Sequence, residues 1–133
     1  MTNHTLEMAI IMILSSLLST MNVWVSSIDH IHLSLNDLYM ALLMTGWMLF
    51  FMGIYYGEIT NIAIGISLVA TSIYLIRTQA FIGEKQYLLG MIPHHSMAVH
   101  MSKQLVKKGS KEPLVKSIIE SQSKEIEYMK KKL

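Results

Sequence analysis

Cysteine is absent from the 133 residues, which excludes disulfides, thiolate metal sites and cysteine nucleophiles. The missing thiols do not identify a compartment. Basic charge is absent from everything before Arg77, where the only formal charges are Glu7, Asp29, Asp37 and Glu58. With Glu7 and no Lys or Arg ahead of it, the first apolar run does not read as a secretory signal peptide. No nucleophile stands beside a candidate base, and there is neither a phosphate-binding loop nor a nucleic-acid signature. These gaps argue against an enzyme and against a nucleic-acid partner. What is present is polarised. An uncharged apolar half precedes a basic polar one, with a net charge of +2 and a mean hydropathy of +0.41.

The apolar half contains three uncharged runs, Met8 to Val25, Leu38 to Tyr56 and Ile59 to Ile76. Each has roughly the 18–20 residues that a helix needs to cross the hydrocarbon core, so three transmembrane helices over residues 1–77 are expected, with the lipid bilayer as partner. Trp24, Tyr39, Tyr55, Tyr56 and Tyr74 lie near the run ends, where amphipathic rings favour the head-group layer. Only Gly57-Glu58 separates the second and third runs, which predicts a tight antiparallel pair. Gly53 and Gly57 make a GxxxG, either a close-contact face or a chance spacing. Met40, Met44, Met48 and Met52 form a stripe at every fourth residue, either flexible packing residues or a ladder of soft sulfurs for Cu(I).

Three crossings place the first loop, from Ser26 to Asp37, on the same side as the C-terminal half. Asp29, His30 and His32 read there as a hydrated loop, with extra metal ligands as the alternative. The Lys and Arg excess after the third run favours a cytoplasmic C-terminal half, although only Arg77 and Lys85 are close enough to the membrane to count.

The polar half, residues 78–133, reads as two helices. The first is expected from about Thr78 to Lys107, with Pro93 kinking or restarting it. Lys108-Gly109-Ser110 is the break. Ser110 is the expected N-cap of the second helix, with Glu112 and Pro113 in its first turn. Lys130, Lys131 and Lys132 complement the dipole at its end.

The stretch from Met91 to Met101 holds three of the six histidines and three of the twelve methionines. Imidazole nitrogen and thioether sulfur together suit copper, and imidazole alone also suits other transition metals. Helical periodicity lines up Tyr87, Met91, His94, Ala98, Met101 and Leu105, with His95 beside them and His100 pointing away. On the second helix the stripe is Leu114, Val115, Ile118, Gln122, Glu125, Met129 and Leu133. Folded about Gly109, the hairpin sets Met101 against Ile118, Ala98 against Gln122, His94 against Glu125 and Met91 against Met129. The seam is apolar near the turn and polar at the His/Glu level. That level is either a hydrogen-bonded layer fixing helix register or a metal site. Adjacent histidines cannot both point straight inward, so one of them reaches a partner subunit or the site is shared between chains. Lys103, Lys107, Lys108, Lys116 and Lys124 form a solvated face or contact anionic lipid. Two helices of this size bury too little core alone, so a homo-oligomer forming a four-helix bundle is expected, an arrangement that holds metals through inward His and Glu side chains.

Met-Ile-Pro-His-His at 91–95, followed by Ser-Gln-Ser-Lys-Glu-Ile-Glu-Tyr-Met at 121–129, resembles the domain-of-unknown-function family 305. Tyr39-Met-Ala-Leu-Leu-Met44 and Arg77-Thr-Gln-Ala-Phe-Ile-Gly83 resemble its three-span membrane branch. The resemblance implies an all-α fold with three transmembrane helices and a ferritin-like antiparallel hairpin. It further implies copper binding, with His94, His95, Met97, Met101, Gln122, Glu125 and Met129 as ligands, in sequestration or hand-off, with other membrane proteins as candidate partners. A structural membrane assembly protein is the alternative function. The membrane relatives place the hairpin outside the cytoplasm, with basic residues in the turn between spans two and three. Here that turn is Gly57-Glu58 and lacks them. A ferritin-like oxidase would need several carboxylates in Glu-x-x-His arrangements, and only Glu125 lies at the right level.

Overall fold

The structure, a computed structural model, describes residues 3–133 and is all-helical over them. Five α-helices follow in order: α1 (Asn3–Leu18), α2 (Leu35–Tyr56), α3 (Ile59–Thr78), α4 (Glu84–Lys107) and α5 (Pro113–Lys132). Short 3₁₀ turns at Met21–Trp24 and Ile28–His30 occupy the connection between α1 and α2. The first apolar run therefore stops being α-helical at Leu18. The chain divides into two units, Met1–Thr20 with Leu35–Phe81, and Met21–Ser34 with Ile82–Leu133.

In the first unit α1 packs on α2, and α2 packs on α3. Asn3–Trp24, Leu35–Tyr56 and Ile59–Thr78 are long and apolar enough to cross a membrane. Large apolar side chains such as Leu18, Tyr55 and Ile59 stand exposed on this unit, as lipid contact would require. Gly57 turns the α2–α3 hairpin at φ +70°, a conformation that glycine adopts without the Cβ clash. A Cβ there would meet nothing within 4 Å, so of the Gly53–Gly57 spacing only Gly53 makes a close contact within the chain. The close approach uses Gly46, Gly53 and Gly65. A Cβ on Gly65 would lie 2.5 Å from the Phe50 backbone nitrogen, and one on Gly53 2.7 Å from that of Ile62. At the other end of the pair, Tyr39 donates its hydroxyl to the Ala80 carbonyl at 2.7 Å and Asn36 pairs with Gln79. Met40 and Met44 are exposed, and Met48 and Met52 are half-buried.

In the second unit α4 and α5 form an antiparallel hairpin turned at Gly109, where φ is +93°. α4 runs unbroken through Pro93, so the helix does not restart there. Proline removes one hydrogen bond of the helical ladder, and the buried packing around Ile92 and Pro93 retains the helix. The α5 cap is Glu112, whose carboxylate accepts from the Leu114 amide, and not Ser110. Pro113 explains the shift: it occupies the first helical position and pushes the residue before it out of helical geometry. Ser110 still helps by accepting from the Glu112 amide at 3.3 Å.

The core of this unit is Ile92, Val99, Ile126 and Met129, with Leu88 and Met91 packed against it. The inward face of α4 is therefore turned by one residue, about 100°, from the stripe that periodicity suggested. Tyr87, Met101 and Leu105 are 53%, 50% and 46% exposed, whereas Ser96 and Ser102 are buried. The reason is the connection at 21–34, which packs against α4 and gives a buried serine polar partners.

A half-buried histidine–carboxylate level and a clamped loop

On α4, His95 stands one turn from Met91 and Ile92, so helical spacing sets it beside the apolar core. Its side chain is 15% exposed, and Nδ1 lies 2.9 Å from Glu125 Oε2 on α5. The two atoms are in close contact without lining up as a hydrogen bond. Burial pushes the His95 pKa below its ordinary value, and His94 adds to this while Glu125 opposes it. A lowered pKa keeps the ring neutral, the form that ligates metals. One turn before Glu125, the Gln122 side-chain carbonyl is buried with no hydrogen-bond partner. An orphaned buried acceptor is costly and needs an explanation, a bound cation being one.

The expected ligands divide into two groups. His95 and Glu125 meet across the hairpin, with Gln122 one turn before Glu125 and Met129 one turn after it on α5, and Met91 one turn before His95 on α4. His94 is exposed, its ring centroid 5.9 Å from that of His95 and the planes tilted by 56°. Met97 lies about 200° around α4 from His95. Met101 is exposed. The level expected at Glu125 is thus present, but His95 occupies it and not His94. Among the described residues no group of three or more His, Cys, Asp or Glu side chains could hold a metal ion. The chain's own donors fit an ion only as a mixed set of one imidazole, one carboxylate, one amide oxygen and thioethers.

Periodicity did not reveal the second cluster. Ser96, fully buried on α4, accepts from the Ser26 amide at 2.8 Å and meets His30 Nδ1 at 2.8 Å and Ser26 Oγ at 3.1 Å. Asn22 clamps the loop onto itself, accepting from the His32 amide at 2.9 Å and donating to the His32 carbonyl at 2.8 Å. Asp29 bonds Ser27 and Lys130, and Lys130 also reaches Glu127. Lys130, then Ser27, holds the Asp29 carboxyl well below the usual carboxylate range, and the Asp29 bond raises the Lys130 pKa. Burial lowers the His30 pKa although Asp29 opposes it. The segment read as a hydrated loop is therefore built into the hairpin's flank. The available signal was Ser96 itself, a small polar residue on the face of α4 about 180° from the chosen stripe.

These features define an all-helical protein with three span-length apolar helices and a helical hairpin bearing a His–Glu level. Residues 73–133 match the family model described as Domain of unknown function (DUF305). The chain is also similar to the uncharacterized protein L153 of Acanthamoeba polyphaga mimivirus, 47% identical over 139 residues that cover 92% of this chain and 89% of that protein. The chain belongs to this family. No solved structure matches it.

Proposed function

We propose that this is a membrane-anchored metal-binding protein, with copper the first ion to test and other transition metals next. The observation that carries the reading is the His95–Glu125 contact at 2.9 Å, one turn from a buried and unpartnered Gln122 carbonyl. His95, Glu125, Gln122 and Met129 would hold the ion. Its positive charge would offset the Glu125 carboxylate and give the Gln122 oxygen a partner. Met91 and Met129 supply soft sulfur from the adjoining core, which favours copper. His94 and Met101 face outward, the direction from which a second copy would use them, so the ligand set is completed by homo-oligomerisation into a four-helix bundle. The span-length helices would anchor the hairpin, on the extracytoplasmic side in this reading, for sequestration or hand-off rather than catalysis.

Metal analysis and Cu(I) titration of purified full-length protein test the reading. Wild type should retain copper, His95→Ala should lose it, and Gln122→Ala should bind roughly tenfold more weakly. Equal copper in wild type and His95→Ala would overturn it. The His95–Glu125 contact also favours a second reading, in which the pair only fixes helix register in a structural membrane component. That reading expects a chelator to leave the oligomer and its melting temperature unchanged.

A further inference from the structure

We propose that the open end of the helical hairpin, where the start of α4 meets the end of α5, binds the head group of an anionic phospholipid. A groove of about 550 Å³ opens there, within the size range of small-molecule sites. Lys85 and Lys132 bring ammonium groups to it, Tyr87 and Tyr128 bring phenol rings, and Leu88 supplies an apolar wall. Lys132 Nζ stands 5.5 Å from the centroid of the Tyr128 ring, a cation–π contact that holds the charge at the groove. Lys130 is not counted, because Asp29 and Glu127 engage it.

Two ammonium groups alone would take any anion. The rings select the lipid. Tyr87 and Tyr128 are 53% and 63% exposed, and amphipathic rings displayed beside lysines favour the head-group layer over bulk water. Position along the chain points the same way. Lys85 follows Thr78, the last residue of α3, by seven positions, a tether of at most about 25 Å. The Gly109 turn lies at the far end of a 24-residue helix, about 36 Å long. Of the hairpin's two ends, the basic groove is the one nearer in sequence to a span-length helix. Glu84 stands at the same groove and opposes a phosphate, so it limits affinity and offers a handle for testing. The site needs no metal and is independent of the His95 level.

Full-length protein in neutral-detergent micelles would be titrated with phosphatidylglycerol, phosphatidylcholine or inorganic phosphate, and bound lipid counted by native mass spectrometry. Phosphatidylglycerol should be retained in preference to phosphatidylcholine. Lys85→Gln with Lys132→Gln should weaken that retention roughly thirtyfold, about fivefold per lysine. Glu84→Gln should strengthen it roughly fivefold, and this gain of binding decides the matter even if the lysine variant fails to fold. Lys103→Gln with Lys107→Gln, away from the groove, should match wild type. Equal retention of the two lipids, or no change in either groove variant, would overturn the proposal. So would displacement by inorganic phosphate at equal concentration, which would make this a soluble-anion site.

Discussion

Ser96→Ala removes one oxygen from a fully buried position on α4, and the consequence should be felt seventy residues away. The Ser26 amide and His30 Nδ1 each lose a partner at 2.8 Å. A buried polar group left without a partner costs about 1–3 kcal/mol. Ser26 is half-buried, so water can replace part of its loss, whereas His30 is buried. The loop should therefore be held less tightly by about 2 kcal/mol, taking the middle of that range for His30 and little for Ser26. If the loop opens locally, amide exchange in the segment 21–34 should rise roughly thirtyfold. Hydrogen exchange read by mass spectrometry on the full chain in micelles reports this segment directly. Ser67→Ala is the control, because its hydroxyl is exposed and bonds only the Ala63 carbonyl of its own helix. Should peptides from 21–34 exchange at the wild-type rate in Ser96→Ala, the hub does not hold the loop and the reasoning fails.

Acid should loosen the same segment. The folded state lowers the His30 pKa from the ordinary 6.5, so as pH falls through 6.5 the unfolded chain takes up a proton that the folded chain resists. Stability is fully present above 6.5, declines below it and levels off beneath the folded-state pKa. Exchange in 21–34, corrected for its intrinsic pH dependence, should therefore rise from about pH 7 to about pH 5. His30→Gln should flatten that rise, and an unchanged profile in the variant would refute the assignment. In the first unit, Gly65→Ala forces a Cβ to within 2.5 Å of the Phe50 nitrogen and 2.8 Å of the Gly46 carbonyl, both backbone atoms. A loss of about 1–3 kcal/mol is expected from overpacking, read as an earlier denaturation midpoint. Ser67→Ala, an exposed change on the same helix, should stay within about 0.5 kcal/mol of wild type, and equal midpoints for the two variants would contradict the packing account.

Residue pattern exposed some of this architecture and concealed the rest for identifiable reasons. The three apolar stretches and the Gly109 hairpin were legible because length without charge, and a break between periodic segments, are strong one-dimensional signals. The height at which α4 and α5 bring imidazole to carboxylate was legible too, since it follows from counting residues away from the turn. Which imidazole faces the seam was not. Choosing between His94 and His95 means choosing between two faces about 100° apart, and the apolar count favoured the face that the structure leaves exposed. Ser96 and Ser102 made the true face look too polar. Their burial makes sense only once Ser26 and His30 come in from a distant part of the chain. The glycine contact was misplaced for a related reason. Gly53 and Gly57 are neighbours in the sequence pattern, but a turn takes Gly57, and the real close approach pairs Gly53 and Gly46 with a helix that the motif does not mention.

The clamp on Ser96 also sets an order of events during biosynthesis. Ser26 leaves the ribosome seventy residues ahead of the side chain that will receive its amide. In that interval two apolar helices of span length must be made, and if they enter a bilayer, both or neither must cross it for the early segment to meet its late partner in the same aqueous space. Closure of the clamp would then report correct insertion. A molecule that threaded only one of α2 and α3 could not bring Ser26 and His30 to Ser96.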